Sequence, residues 1–243
     1  MSKKAWIIFA VIVVVVLGGL VAYSRSMNPA IDVSNVDANT IQAASDQNGQ
    51  IAEHVLGATD AKVTVVEYGD YQCPYCGQVY EPLKSVTDKY GDSIAFVFRN
   101  FPLTNNHPNA KAAAAVAEAA GLQDKYWEMH DLLYTNQDLW QGLNGTERTE
   151  TFRDYATQLK LNLNDFDGAL ANGASAANKK IAYDVAVAKK IGVNSTPTIF
   201  VNGVKISDDV SAKLQQGNTE PLEALIDAAL KDAGVEVPAK DNK

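Results

Sequence analysis

The sequence predicts an α/β domain that is interrupted by a block of helices and preceded by one apolar N-terminal helix. Between about residues 52 and 237 the predicted order is strand, helix, strand, then four helices, then two strands and a closing helix. Residues 5–23, AWIIFAVIVVVVLGGLVAY, carry no charge. These two observations divide the chain into an apolar N-terminal segment and one folded domain with an insertion.

The uncharged run is the first constraint on location. As a helix it is roughly 28 Å long, close to the thickness of a bilayer's hydrocarbon core. A cleaved signal peptide is the alternative, but its apolar region is usually shorter and ends at a small-x-small site. Lys3 and Lys4 precede the run and only Arg25 follows it closely, which favours a cytoplasmic N-terminus. We therefore expect residues 1–26 to form a cytoplasmic N-terminus and a single transmembrane anchor in the cell membrane.

The rest of the chain is then extracytoplasmic, in a compartment that permits disulfides. The net charge of the whole chain is −8, and removing the anchor, which carries three basic and no acidic residues, makes the remainder more acidic still. Such a surface repels phosphate backbones and anionic lipid headgroups. Nucleic acid is therefore excluded as a partner.

The domain organisation follows from composition. Residues 27–51 are polar, lack aromatic side chains and show no sustained apolar period, so we expect a flexible stalk. The folded domain is expected at residues 52–237, with its helical insertion at about 105–192. A disordered tail is expected at 238–243.

Individual elements are predicted from periodicity and from turn signals. The β-branched runs 62–70 and 93–101 predict buried strands, and a helix between them begins at Pro74. Asn202-Gly203 predicts a tight hairpin. The remaining helices are predicted at 110–122, 124–134, 146–161, 175–192 and 220–233.

The chain has two cysteines, Cys73 and Cys76, in the stretch DYQCPYCG. A closed structural zinc site needs four ligands, and the three histidines are scattered, so no metal is expected. A structural disulfide would close a loop of only two residues and contribute little. A reactive pair is favoured because Cys73 lies at the predicted start of a helix, where free N–H groups and the helix dipole favour a thiolate. Cys76, one turn further in, is expected to be more buried and less acidic.

These residues resemble the DsbA-like family of thiol–disulfide oxidoreductases, in particular its membrane-anchored extracytoplasmic members. The resemblance covers about residues 52–235 and rests on the combination of EYGDYQCPYCG with three further segments, which are Phe101–Ala110, Tyr126–Leu133 and Ser195–Thr198. It implies a thioredoxin-like fold with an inserted helical domain. It also implies no cofactor beyond the cysteines themselves.

The resemblance also implies roles for further residues. Pro197 would be a cis-proline beside the sulfurs, and the backbone of Thr196 would pair with an extended substrate segment. Glu67 would be a buried acid that moves protons for the deeper thiol, although an edge or ion-paired glutamate is the alternative. Pro74 and Tyr75 stand where the best-known oxidase pattern has Pro-His, so Cys73 is expected to lose one stabilising cation.

The expected function is a membrane-anchored oxidase that introduces disulfides into exported cysteine-containing proteins. A quinone-linked membrane protein is the expected partner that reoxidises the pair. Two alternatives remain open. The same residues can serve a reductase or isomerase, and a tethered peptide-binding chaperone with a structural disulfide would share the fold.

Overall fold

The structure is a computed structural model that describes residues 3–27, 31–171, 173 and 175–239. Residues 28–30 of the predicted stalk and 240–243 of the predicted tail lie outside the described residues. Contacts divide the chain into two units, one ending at Asp32 and the other beginning at Val33. The first unit contains helix α1, Lys3–Met27, and its apolar side chains between residues 6 and 20 are exposed. Within the described part of the chain, no helix is long and apolar enough to cross a membrane.

The second unit is built on a five-stranded sheet. Its strands are β1 (Val55–Gly57), β2 (Val63–Gly69), β3 (Ile94–Asn100), β4 (Thr198–Val201) and β5 (Val204–Lys205), in the order β1-β3-β2-β4-β5. β2 lies at the centre, parallel to β3 and antiparallel to β4. Because both edges of β2 are paired and six of its seven residues are buried, its carboxyl end is a rigid support for the residues that follow.

Helix α2, Pro74–Tyr90, connects β2 to β3 and completes a strand–helix–strand unit. One face of α2 packs on the sheet through an apolar cluster that includes Val79 and Leu83. Ile226 of the closing helix joins this cluster, and each such fully buried side chain contributes about 1.5–3 kcal/mol. Burial on the sheet therefore fixes the direction in which α2 leaves the end of β2.

A helical insertion separates β3 from β4. Its helices, in the part of the insertion that the structure describes, are α3 (Ala110–Gly121), α4 (Tyr126–Thr135), α5 (Gln137–Trp140), α6 (Gly145–Gln158), α7 (Leu163–Leu170) and α8 (Ala176–Lys190). The alanine-rich α3 is almost wholly buried and contacts α4, α7 and α8, because small side chains permit close helix packing. After the insertion come the β4–β5 hairpin, α9 (Asp208–Gln215) and α10 (Glu220–Asp232). This is the thioredoxin-like fold with a helical insertion.

The predicted flexible stalk does not hold for residues 33–51, which belong to the same compact unit as the sheet. Arg99 of β3 donates hydrogen bonds to the carbonyls of Ala38, at 2.5 Å, and Thr40, at 2.8 Å. Ile51 is buried. The segment is attached mainly by hydrogen bonds to its backbone, so it carries no apolar period from which packing could be predicted.

Candidate active site

Cys73 lies at the point where the buried sheet ends and α2 begins. Asp70 follows β2 directly, and its carboxylate accepts a hydrogen bond from the Gln72 N–H at 2.8 Å, while its carbonyl accepts one from the Cys73 N–H at 3.0 Å. This Asx turn reverses the chain. Cys73 is then the N-cap of α2, with extended backbone angles (φ −70°, ψ 123°), and Pro74 occupies the first helical position. The predicted placement at a helix start is confirmed.

The surroundings of Cys73 favour its thiolate. The Cys76 thiol donates a hydrogen bond to the Cys73 sulfur, and the backbone N–H groups of Cys76 and Tyr75 also face it. Partial burial opposes these interactions, but together they lower the pKa of Cys73 to about 6. Cys73 is therefore mostly a thiolate at neutral pH, which is the reactive form of a cysteine.

Cys76 belongs to the same buried cluster as Cys73, but the pKa of its thiol is shifted in the opposite direction. It is fully buried in the apolar cluster that α2 shares with the insertion, where Tyr71 and Tyr134 are among its members. Burial raises the pKa of Cys76 well above the usual thiol range, and donation of its proton to Cys73 raises it further. Cys76 therefore stays protonated while Cys73 is ionised, and the two cysteines are not joined by a disulfide in this structure.

Glu67 lies in the middle of β2 and is 3% exposed. Its Oε1 atom has no hydrogen-bond partner within the described part of the chain. Burial, and then the charge of the Cys73 thiolate, raise the pKa of Glu67 to about 8. Since β2 is central and Glu67 has no ion pair among the described residues, the alternative of an edge or ion-paired glutamate is wrong. At neutral pH the carboxyl group is mostly protonated and close enough to Cys76 to influence its charge.

Thr196 and Pro197 lie opposite the cysteines, just before β4. The peptide bond between them is cis, as the resemblance implies. The Thr196 carbonyl oxygen lies 3.5 Å from the Cys73 sulfur. Beside them is a cavity of about 400 Å³ that Tyr75, Thr196, Pro197 and polar residues of α9 line. Tyr75 is 55% exposed at its mouth, whereas Cys73 itself is 3% exposed.

The structure thus places Glu67, Tyr75 and Thr196 near the two thiols. Pro197 follows Thr196 in a cis peptide bond, and Pro74 is the first residue of α2, between the two cysteines. Two polar residues that the sequence did not single out also reach this loop. The side-chain amide of Gln137 donates to the carbonyls of Tyr71 and Cys73. Gln72 donates to the Gln141 carbonyl of the insertion at 2.7 Å. A glutamine carries no positional signal of its own, so only the folded structure identifies these contacts.

The histidines do not act on the sulfurs directly. His107 binds Asp70 through Nδ1 at 2.7 Å, and His130 is buried among aromatic rings. Among the described residues no group of three or more His, Cys, Asp or Glu side chains is arranged to hold a metal ion.

Comparison with known proteins agrees with this geometry. The family model described as thioredoxin matches residues 49–227. Among solved structures, a thioredoxin-like oxidoreductase from Silicibacter pomeroyi DSS-3 is 27% identical, covering 70% of this chain and 92% of its own, with a TM-score of 0.54. BdbD from Bacillus subtilis is 23% identical, covering 79% and 98% of the two chains, with a TM-score of 0.61. MdbA, a thiol-disulfide oxidoreductase from Corynebacterium diphtheriae, is 21% identical over 76% and 98%, with a TM-score of 0.56.

Curated relatives are longer proteins. Na(+)/H(+) antiporter NhaA 1 of Salinispora arenicola is 39% identical over 191 residues, which are 79% of this chain and 26% of that protein. Antiporter NhaA 3 of Salinispora tropica is 44% identical over 151 residues, 62% and 22% of the two chains. The chain spans about a quarter of the length of these relatives. The family-model match, together with the fold and the paired thiols, shows that this chain belongs to the thioredoxin family and has the fold of DsbA-family thiol–disulfide oxidoreductases.

Proposed function

We propose that the protein is a membrane-anchored disulfide oxidase that introduces disulfides into exported cysteine-containing proteins. The observation that carries this proposal is the lowered pKa of Cys73, about 6, beside the raised pKa of Cys76. A stable Cys73 thiolate is a good leaving group, and its stability favours the dithiol form of the enzyme. An enzyme whose dithiol form is stabilised readily gives its disulfide away.

The reaction proceeds by two thiolate attacks. A substrate thiolate attacks the Cys73 sulfur of the Cys73–Cys76 disulfide, the bond between the two cysteines breaks, and Cys76 leaves with the electron pair. The second substrate thiolate then attacks the substrate sulfur of the mixed disulfide and expels Cys73 as a thiolate. The substrate loses two electrons and gains a disulfide, and the enzyme gains both electrons as a dithiol.

Glu67 supplies the proton that the first step requires. Cys76 leaves into an apolar interior, where an uncompensated thiolate is costly. A carboxyl group whose pKa is raised to about 8 still holds its proton at neutral pH and can give it to the departing sulfur. When the pair is reoxidised, the carboxylate takes the proton back. Glu67 therefore serves as acid in one half of the cycle and base in the other.

The groove beside Thr196 and Pro197 is where an extended substrate segment would lie. The cavity is open, and residues such as Ser211 and Gln215 line it with polar groups. A polar groove selects weakly for side chains, which suits an enzyme that acts on many unfolded exported proteins. In this assignment Tyr75 and Pro74 flank the substrate sulfur as it reaches Cys73.

The uncharged run at residues 5–23 supports anchoring of the chain in the cell membrane, with its N-terminus in the cytoplasm and its catalytic domain outside. A tether keeps the dithiol near the bilayer and raises its effective concentration for a membrane-bound oxidant. We propose that this oxidant is a quinone-linked membrane protein, which would remove two electrons and restore the disulfide.

The direction of the reaction is tested with the full-length protein in detergent. The oxidised protein is mixed with reduced, unfolded ribonuclease A, and thiols are counted on both proteins after an acid quench. We expect one protein disulfide to appear in the ribonuclease for each one lost from the oxidoreductase, whereas Cys73→Ser gives none. If the oxidised protein keeps its disulfide while its dithiol form reduces native ribonuclease, the reductase alternative replaces this proposal.

The location is tested in intact cells that express the full chain. A membrane-impermeant maleimide is added after mild reduction, and its attachment at Cys73 is measured before and after lysis. The proposal predicts equal labelling in both samples and retention of the protein in the membrane fraction after alkaline extraction. Labelling that occurs only after lysis would contradict the proposed orientation. Release of the protein from the membrane fraction by alkali would contradict the proposed anchor.

A further inference from the structure

Gln137 reaches from the helical insertion into the loop that carries the cysteines. Its side-chain amide donates to the Tyr71 carbonyl at 2.7 Å and to the Cys73 carbonyl at 3.0 Å. Both amide hydrogens are therefore used, one on each of two carbonyls that lie two residues apart. The residue is 8% exposed, and its short helix α5 is anchored by Trp140, which is fully buried and donates to the Leu133 carbonyl at 2.8 Å.

Gly77 makes this approach possible. A Cβ atom added at Gly77 would lie 2.5 Å from the Oε1 atom of Gln137, which is closer than such atoms ever approach. The backbone of Gly77 is ordinary helix, so its lack of a side chain is required by the close approach and not by φ. A glycine inside a helix is destabilising, and here it gives the Gln137 amide room beside the first turn of α2.

The Cys73 carbonyl controls how the sulfur faces the helix. It accepts two hydrogen bonds, one from the Gly77 N–H at 3.1 Å and one from Gln137. Its direction sets ψ of Cys73, and therefore where the Cys73 sulfur lies relative to the N–H groups of Tyr75 and Cys76. Those N–H groups are among the donors that stabilise the thiolate. Losing one of the two donors lets this angle vary and weakens the alignment.

We propose that Gln137 is a positioning residue for thiol–disulfide exchange: its amide fixes the Cys73 carbonyl, and through it holds the Cys73 sulfur against the N-terminus of α2. The inserted domain thereby sets the reactivity of a cysteine that lies on the thioredoxin part of the chain. This inference rests on the proposed function only in taking Cys73 as the exchanging sulfur.

The test is a pH titration of the Cys73 thiolate, followed by its absorbance near 240 nm in the reduced full-length protein. Gln137→Met keeps the side-chain length and removes both donors, and Gln137→Glu is isosteric and removes them while adding an acid. We expect both to raise the titration midpoint by about one pH unit, a tenfold loss in the thiolate equilibrium. Gln141→Met is the matched control, because the Gln141 side chain bonds, among the residues that the structure describes, to Asp138 at the surface.

An unchanged midpoint in a Gln137 variant whose circular dichroism matches wild type would overturn the proposal. Gly77→Ala provides a second route that leaves Gln137 in the chain, because the added methyl displaces the amide. It should produce the same shift alone and no further shift when combined with Gln137→Met. Independent shifts that add in the double variant would also overturn it. Failure of the wild type to oxidise ribonuclease would instead reject the proposed function, and the titration would still decide the role of Gln137.

Discussion

The two cysteines lie one helical turn apart in the same buried cluster, and the pKa values of their thiols are shifted in opposite directions. Cys73 caps α2, where backbone N–H groups and the neighbouring thiol lower its pKa to about 6. Cys76 faces the apolar interior, where burial raises its pKa well above the usual thiol range. The contrast shows how one short motif produces two different thiols. The helix N-terminus stabilises the thiolate of Cys73, whereas burial in the core disfavours a thiolate at Cys76. In the proposed function, this asymmetry makes Cys73 the sulfur that is attacked and Cys76 the sulfur that leaves into the protein.

The largest loss of disulfide transfer is expected when each of the two cysteines is replaced by serine in turn. Cys73→Ser should abolish disulfide transfer, because a serine hydroxyl neither forms a disulfide nor leaves as a thiolate. Cys76→Ser should abolish turnover, but its Cys73 thiolate can still attack a disulfide of scrambled, oxidised ribonuclease A. That disulfide breaks, one of its sulfurs leaves as a thiolate, and the mixed disulfide with Cys73 accumulates because no Cys76 thiol is present to resolve it. Non-reducing gel electrophoresis after incubation with scrambled ribonuclease A measures both variants. Mixed disulfides that form through Cys76 in the Cys73→Ser variant would reverse the assignment.

A large change in the pKa of Cys73 is also expected when the hydrogen bond between the two cysteine side chains is removed. The Cys76 thiol is the principal donor to the Cys73 sulfur, so Cys76→Ala should raise the pKa of Cys73 clearly above 6. Cys76→Ser, which retains a hydroxyl donor, should raise it less. Rates of alkylation by iodoacetamide, measured across pH, report the midpoint. Equal midpoints in the alanine and serine variants would mean that the hydrogen bond is not the main cause.

Glu67, which lies near Cys76, is expected to make the free energy of unfolding depend on pH. Its pKa in the folded protein is about 8, above the ordinary value of 4.5, because of burial. Its stabilising contribution is therefore complete below pH 4.5 and is lost as the pH rises through about 8. Glu67→Gln removes this loss. Urea unfolding of the reduced protein at pH 5 and pH 8 should show the variant gaining on wild type at the higher pH, and a constant difference would refute buried ionisation.

The smallest change is expected in the redox potential when Tyr75, two residues after Cys73, is replaced. Tyr75→His restores a potential cation beside the thiolate, as in the family's best-known oxidase pattern. We expect a lower Cys73 pKa and a redox potential higher by about 30 mV, a tenfold change in the two-electron equilibrium. Tyr75→Phe serves as the control for loss of the hydroxyl alone. A potential that Tyr75→His leaves unchanged would show that the dipeptide does not tune this site.

Local signals predicted the part of the fold that carries the thiols. β2 and β3 lie within one residue of the predicted strands, and α2 has the predicted start at Pro74, because a buried β-branched run and a proline at a first turn are both local properties. The hairpin at Asn202-Gly203 also forms, with positive φ at both residues. Placement of Cys73 at a helix start required no tertiary information.

Other elements were missed, for different reasons. β1 is a three-residue edge strand that exists only through its pairing with β3. α5 has four residues, too few for any periodic signal. α7 did have a local signal, because Asn162 caps it by accepting from the N–H groups of Asn164 and Asp165. The contact of Gln137 with Cys73 joins residues 64 positions apart, so no pattern in the sequence contains it.

We propose that the asymmetry between the two cysteines makes the disulfide a strong oxidant. The equilibrium of the full-length protein with reduced and oxidised glutathione at pH 7, read by mass after alkylation of free thiols, measures its potential. We expect a potential well above that of thioredoxin, about −270 mV, so that the dithiol form persists in buffers that would oxidise thioredoxin. A potential close to −270 mV would contradict it and would favour a reductase that uses the same two sulfurs.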